Sequence, residues 1–300
     1  MNINFESYKV FYHVAKTLSF SDASHKLFIS QSAVSQSIKQ LEEKLDIKLF
    51  FRHTKVVKLT VEGEMLFRNI EQAYNLIQAG EKRIRELHSL SVGEVRIGAS
   101  DTICKYYLLP YFRLFHKAYP KIKITVINRP SPICMELLRK GSVDVSIVNL
   151  PLIWDHIGFE MQVLKEIQDV FIAGKAYCEL ENKQVSFREL EAYPVLLLEK
   201  NSTTRDYFDE LMARYQVSIL PEFELGSMDL LVELSKIGLG ISFVTEDAIT
   251  SAIASKEIFK LNTLEAIPKR RIGVLTKKGI VAPVAAQKFI EICISATHLS

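Results

Sequence analysis

Apolar residues recur at helical spacing from the start of the chain. Phe5, Tyr8, Phe11, Tyr12 and Ala15 predict a helix over 5–16. A second helix is predicted from Ser19 to about Leu27. Ser19 and Asp22 stand as a capping pair there, and Leu18 and Ala23 as a hydrophobic staple. After two or three residues a third helix begins behind Ser30, with Ile29 and Val34 as its staple. Two short helices joined so tightly form a helix-turn-helix candidate, at about 19–39. At 100° per residue, Val34, Ile38, Leu41 and Leu45 of the third helix fall on one stripe. Ser32, Gln36, Lys39 and Glu43 fall opposite, Ser35 and Gln40 flank them, and Gln31 sits in the first turn. Short hydrogen-bonding side chains thus occupy the start of the outer face, with Glu42 and Glu43 following later.

"IKLFFRHTKVVKLT" then alternates as a short hairpin with "RHTK" at its tip, which makes a winged variant. Thr60 is placed to cap a long helix, with Glu62 and Glu64 at its positive end. Along it Leu66, Ile70, Ala73, Ile77, Gly80, Ile84 and Leu87 are spaced 4,3,4,3,4,3, a heptad seam. A helix of about 28 residues is about 42 Å long. Packing against a second copy explains that seam; packing on its own chain is the alternative. From "SVGEVRIGAS" onward, strands alternate with helices. Strands are predicted near 95–99, 122–127, 143–149, 168–173, 195–198, 222–225, 241–244 and 271–275, and helices near 103–118, 132–140, 203–215, 228–237, 246–254 and 282–296. This is an α/β region with mainly parallel sheets. It reads as two subdomains with crossings near 163 and 266.

Composition adds limits. The chain has 300 residues, 48% apolar and 24% charged, as in globular proteins. The net charge of +3 becomes informative once located. Residues 1–58 carry nine Lys and Arg against five Asp and Glu, while the other 242 carry 29 against 30. The excess points to a polyanion partner for the first fifth, with a solvated basic surface as the alternative. The N-terminus shows no basic region leading into an apolar run, and no stretch approaches the ~18 apolar residues of a membrane span. Four scattered cysteines suggest neither a metal site nor a disulfide framework, which fits a reduced cytoplasm.

The N-terminal segments "VAKTLSFSDASHKLFISQSAVSQSIKQLEEKLDIKLFFR" and "KLTVEGE" resemble the DNA-binding domain of LysR-type transcriptional regulators. "GEVRIGAS", "YLLPYFRLFHKAYPKI", "LLRKGSVDVSIV", "NSTTR" and "LVELSKIGLGISFV" resemble that family's effector domain, in the same order. Ser32 stands at a frequent proline position, Asp46 at a frequent glycine and Thr245 at a frequent proline. The resemblance implies a multidomain chain. A winged helix-turn-helix domain at 1–59 precedes a linker and dimerisation helix at 60–89. An effector-binding domain of the periplasmic-binding-protein type 2 kind follows at 90–300, with subdomain I at about 90–163 and 267–300 and subdomain II at about 164–266. It implies double-stranded operator DNA with dyad symmetry as partner, a homodimer or homotetramer, RNA polymerase as a possible further partner, and a cytoplasmic location.

The first part of the third helix is the part that enters the major groove in such domains. Gln pairs in two-point fashion with adenine, and Ser reaches several base edges. The DNA-facing candidates are Ser32, Ser35, Gln36 and Lys39, with Gln31 at the edge and Arg52 and Lys55 in the wing. For Ser30 capping is the main role. In the α/β region, "ASDTI", "NRPSPI" and "EKNSTTRDYF" each follow a strand and open a helix. Ser100, Thr102, Ser131, Ser202 and Thr203 are the candidates there. Hydroxyls and free N–H groups at helix starts favour a small anion; plain N-capping is the alternative, and Asp101 would oppose an anion if it faced inward. Cys104 and Cys134 lie near two of these segments, where buried structural thiols are the default and a redox switch is the alternative. No metal-ligand spacing, phosphate loop or nucleophile elbow is present, so neither cofactor nor metal is implied. A solute-binding protein would leave residues 1–89 without a role, and an enzyme would lack a catalytic constellation. A ligand-controlled DNA-binding regulator accounts for both halves.

Overall fold

The computed structural model describes residues 3–53, 56–87, 93–150 and 157–297. The chain divides into two compact units, Met1–Ile84 and Arg85–Ser300.

In the first unit, α1 (Phe5–Thr17), α2 (Phe20–Leu27) and α3 (Gln31–Leu45) are each opened by a polar cap. Ser19 Oγ accepts from the Asp22 N–H at 3.1 Å and Ser30 Oγ from the Ala33 N–H at 3.2 Å. Each helix is closed by a non-glycine residue in the left-handed region: Leu18, Phe28 and Asp46, with φ of 49°, 55° and 54°. Phe11, Val14, Ala23, Val34, Ile38 and Leu41 form the core between them. A hairpin of β1 (Phe50–His53) and β2 (Val56–Leu59) pairs Phe50 with Leu59 and His53 with Val56.

Glu42 corrects the reading of α3 as carrying its acids on the outer face. It is 3% exposed. Its Oε1 accepts the N–H groups of Leu49 (2.8 Å) and Phe50 (3.3 Å), and Lys48 Nζ lies 3.7 Å from Oε2. The base of the wing is held from the other side as well. Thr60 Oγ1 donates to Lys48 O at 2.7 Å and accepts from the Gly63 N–H at 2.9 Å. A Cβ at Gly63 would come within 2.2 Å of Leu49 O, so this approach requires glycine.

The long helix α4 spans Val61–Leu87. The heptad seam divides. Leu66 and Ile70, with Phe67, pack against the core of their own unit, and Tyr74 stacks on Tyr12 of α1 at 4.3 Å. Ile77 is exposed, and the side chains of Ile84 and Leu87 lie outside the described residues.

The second unit holds two five-stranded sheets. The first, in order β4-β3-β5-β14-β6, is built from β3 (Gly93–Ala99), β4 (Ile122–Asn128), β5 (Val145–Leu150), β6 (Phe159–Ile167) and β14 (Arg270–Lys277). The second, in order β10-β9-β11-β7-β12, is built from β7 (Asp169–Gly174), β9 (Val195–Leu198), β10 (Phe223–Leu225), β11 (Ile241–Thr245) and β12 (Ile258–Lys260). A further parallel pair joins β8 (Gln184–Val185) to β13 (Asn262–Thr263). The sheets are mixed rather than mainly parallel. β14 runs antiparallel to β5 and β6, and β7 antiparallel to β11 and β12. The edge strand β6 is absent from the predicted strands: its alternation of Phe159, Met161 and Val163 with Glu160 and Gln162 breaks at Leu164, and five of its nine residues are exposed. It carries the first sheet to Ile167, so the chain crosses at Gln168 rather than near 163.

Helices cover both sheets. α5 (Asp101–Ile103) runs through a π turn (Cys104–Leu108) into α6 (Leu109–Ala118), and α7 spans Ser131–Arg139. On the second sheet lie α8 (Thr203–Arg214), α9 (Met228–Lys236) and α10 (Thr250–Ala254), and α11 (Val284–Thr297) returns to the first. One core gathers Val95, Ile97, Phe115 and Phe289; another gathers Phe171, Phe208 and Phe243. Between the two layers lies a cleft lined by strand ends and helix starts.

Candidate DNA-reading surface and effector cavity

On α3, Gln31, Ser32, Gln36 and Lys39 are exposed and Ser35 is half-buried, while Val34, Ile38 and Leu41 are fully buried. Ser32 Oγ lies 2.9 Å from Ser30 Oγ, so the cap and the first outward hydroxyl share a hydrogen bond. Lys39 Nζ lies 3.8 Å from Glu43 on the next turn, with both groups well exposed. Such a pair contributes about 0.3–0.5 kcal/mol and does not tie the ammonium down. Arg52 lies in β1 with its side chain outside the described residues, and Lys55 lies outside them altogether. Phe28, in the turn between α2 and α3, is 94% exposed.

In the second unit, Ser100, Thr102, Ser131, Ser202 and Thr203 line one cavity of about 260 Å³. Three helix starts converge on it, those of α5, α7 and α8. The first N–H groups of a helix have no partner within it and carry its positive end, so this arrangement favours a negative ligand. The serines also serve the backbone. Ser100 Oγ accepts from the Ile103 N–H at 3.4 Å and Ser202 Oγ from the Arg205 N–H at 3.1 Å. Ser131 is buried and accepts from the Asn149 N–H at 3.3 Å. Thr203 is 3% exposed, and its Oγ1 has no hydrogen-bond partner among the described residues.

The cavity also contains residues that strand-end reasoning does not single out: Arg129, Asn149, Glu199 and Thr204. Arg129 stands in "NRPSPI" one residue before the proline that opens α7, where its charge adds to the helix start. Asn149 is hidden in the pattern of a fully buried strand, β5. Two acids are on the rim. Asp101 is exposed and accepts from Asn128 Nδ2 at 3.1 Å. The Glu199 carboxylate packs on Gly226, where a Cβ would meet its Oε1 at 2.9 Å.

The thiols near the cavity are poor redox centres. Burial raises Cys104 to about 11, with Asp101 adding to the effect, and burial raises Cys134 to about 12. A thiolate is the reactive form, so both are held inert at neutral pH. Among the described residues, no three His, Cys, Asp or Glu side chains group to hold a metal ion. No described helix is long and apolar enough to cross a membrane.

A winged helix-turn-helix followed by a two-subdomain α/β unit with a ligand-sized cleft defines a class: DNA-binding proteins that carry their own small-molecule receptor. Comparison with known proteins places the chain within it. Residues 5–64 match the family of bacterial regulatory helix-turn-helix proteins of the lysR family, and residues 88–297 match the LysR substrate binding domain. The chain belongs to the LysR family of DNA-binding transcriptional regulators. It is 28% identical over 297 residues to an uncharacterised HTH-type transcriptional regulator, YfeR, of Shigella flexneri, covering 97% of this chain and 94% of the relative. Its fold is that of full-length CbnR, solved in complex with its target DNA (TM-score 0.67, 19% identity, 98% and 99% of the two chains covered). The regulatory domain of Synechocystis PCC6803 CcmR, solved in complex with 2-PG, matches at a TM-score of 0.63 and 24% identity over 68% of this chain and 97% of that one.

Proposed function

We propose that this regulator reads a dyad-symmetric operator through the first turns of α3 and is controlled by a small anionic effector in the cavity between its two α/β subdomains. The observation that carries the reading is the division of α3. One face is locked into the core by Val34, Ile38 and Leu41, and the opposite face presents Gln31, Ser32, Gln36 and Lys39. Ser35 flanks them, and Arg52 and Lys55 of the wing supply phosphate contacts. The relative CbnR was solved on its target DNA, which supports the partner. A homodimer, assembled further into a homotetramer, sets two recognition helices on half-sites one helical turn apart or a multiple of it. RNA polymerase is then the machinery at the same promoter. The protein works in the cytoplasm by binding rather than by catalysis.

For the effector, the converging helix starts, Arg129 and the buried Thr203 hydroxyl favour an oxyanion. The 2-PG complex of the CcmR regulatory domain supports a small ligand in this class of domain. Ser100, Thr102, Ser131, Ser202 and Thr203 are its proposed contacts. Retention of the DNA upstream of its own gene tests the first half. Binding is expected at low salt and falls steeply as salt rises, since neutralised phosphates release counterions. A chain that leaves this DNA free at low salt refutes it.

A further inference from the structure

The chain passes between the two α/β subdomains at two points, after β6 and before β14. Asp169 is the first residue of the strand that follows one crossing, and Arg270 the first residue of the strand that follows the other. These two side chains meet. Arg270 Nε lies 2.5 Å from Asp169 Oδ2 and Nη2 lies 2.7 Å from Oδ1, with both side chains fully buried. Gln168 ties the same two segments, donating from Nε2 to its neighbour Asp169 O at 2.9 Å and to Ile267 O at 3.0 Å.

Stability alone is a poor reason for such a pair. Desolvating two charges offsets most of their attraction, and apolar replacements are often as stable. What a two-point guanidinium–carboxylate contact provides is a fixed orientation. Here the orientation is extended into the cavity wall. Arg270 Nη2 also donates to Thr204 Oγ1 at 3.1 Å, and the guanidinium lies over the Tyr207 ring, 5.0 Å from its centroid. Tyr207 in turn donates from its hydroxyl to Pro268 O at 2.6 Å, beside the second crossing. Thr204 and Tyr207 belong to the first turns of α8, the helix whose start lines the cavity. The assembly is also incompletely satisfied. Arg270 Nη1 and Thr203 Oγ1 are buried polar atoms with no hydrogen-bond partner among the described residues.

We propose that Arg270 is the positioning residue through which a ligand seated on the first turn of α8 sets the angle between the two subdomains. This rests on the cavity being the effector site. A ligand that engages the Thr203 hydroxyl and the free N–H groups displaces the turn that carries Thr204. The guanidinium follows Thr204, and because its other bonds fix it to Asp169, the two crossing strands turn together. A hinge of this kind needs only a few residues at element ends to absorb the change. The ligand shifts it by its difference in affinity for the two settings.

Amide hydrogen exchange on the full chain tests the linkage without a ligand. Arg270→Lys keeps a cation beside Asp169 but loses the two-point fork and the Thr204 bond. Exchange is expected to quicken at least tenfold together at residues 169–171, 205–208 and 270–272, with strand centres such as 95–97 and 147–148 unchanged. Uniform acceleration, or acceleration confined to β14, overturns the proposal. Sulfate is the ligand probe, and Thr204→Val the milder variant, which keeps shape and removes one acceptor. In the parent, sulfate is expected to protect the first turn of α8 and both crossings. In Thr204→Val, protection of the turn remains and protection of the crossings is lost; crossings still protected in that variant overturn the proposal. If sulfate protects nothing in the parent, the cavity fails as an anion site, while the ligand-free measurement still decides the linkage.

Discussion

Glu42 offers the sharpest test of how the DNA-reading helix and the wing are held together. Its carboxylate accepts two backbone N–H groups, from Leu49 and Phe50, residues that are 0% and 3% exposed. Water cannot replace the acceptor in Glu42→Ala. A hydrogen bond to a charged group contributes about 1.5–3 kcal/mol, and a buried donor left unsatisfied costs about 1–3 kcal/mol. The second bond is long at 3.3 Å, so it lies at the low end. Glu42→Ala should therefore weaken this corner by about 3 kcal/mol, a large part of the 5–15 kcal/mol that holds a domain. Glu42→Gln keeps a carbonyl oxygen for both bonds, which share Oε1, but loses the charge that strengthens them, and should cost about 1 kcal/mol. Native-state hydrogen exchange at Leu49 and Phe50 reads this directly. At about 1.4 kcal/mol per tenfold, the alanine variant opens roughly 150 times more often and the glutamine variant about five times. Operator affinity should fall in the same order, because the wing starts at Phe50. Alanine and glutamine variants with equal exchange, or an alanine variant within threefold of the parent, would refute the reasoning.

Other outcomes follow from the same contacts. Gln36→Ala should cost about 1–3 kcal/mol on the cognate operator and relax preference at one position; equal loss on cognate and scrambled DNA would make Gln36 a backbone contact instead. Phe28 holds φ 55° at 94% exposure, so Phe28→Gly should raise stability by about 1 kcal/mol in thermal or urea unfolding, with no packing to lose. Burial lowers the His13 pKa below its usual 6.5, helped by Lys26, Lys16 and Lys9. The unfolded state then binds the proton more readily, so this contribution is full above pH 6.5 and is lost as pH falls through the lower folded value. His13→Gln should flatten the stability profile of the first unit below that pH. With Cys104 and Cys134 raised to about 11 and 12 and Cys293 raised to about 12, brief iodoacetamide treatment at pH 8 should label the exposed Cys178 and spare the other three.

Local chemistry was the most readable part of the chain. Ser19, Ser30, Thr60, Ser100 and Ser202 accept from N–H groups three residues on, so a short window contains both partners. The five cavity hydroxyls were reachable because strand ends and helix starts alternate at regular intervals. Features joined across the chain were not readable in the same way. Glu42 is grouped with Glu43 as a later acid of the outer face, yet its acceptor role is set by amides seven and eight residues later, brought under it by the turn at Asp46. Arg270 and Asp169 stand 101 residues apart, and neither has a neighbour that announces the other. Thr204 follows two recognisable candidates, but its tie to the hinge exists only after both crossings are made. β6 is the least legible strand: Phe159, Met161 and Val163 alternate with Glu160 and Gln162, but the adjacent Val163 and Leu164 break the alternation, and most of the strand is exposed.

The division of labour along α4 bears on how such regulators are recombined. Leu66, Phe67, Ile70 and Tyr74 complete the core of the N-terminal unit before the helix presents Ile77 outward. A fragment cut at the end of the wing would strip that core of its lid and aggregate. Hybrids that transplant this DNA-reading module onto another receptor therefore need their junction beyond Tyr74, in phase with the recipient's heptads, so that foldability and pairing specificity can be inherited from different parents.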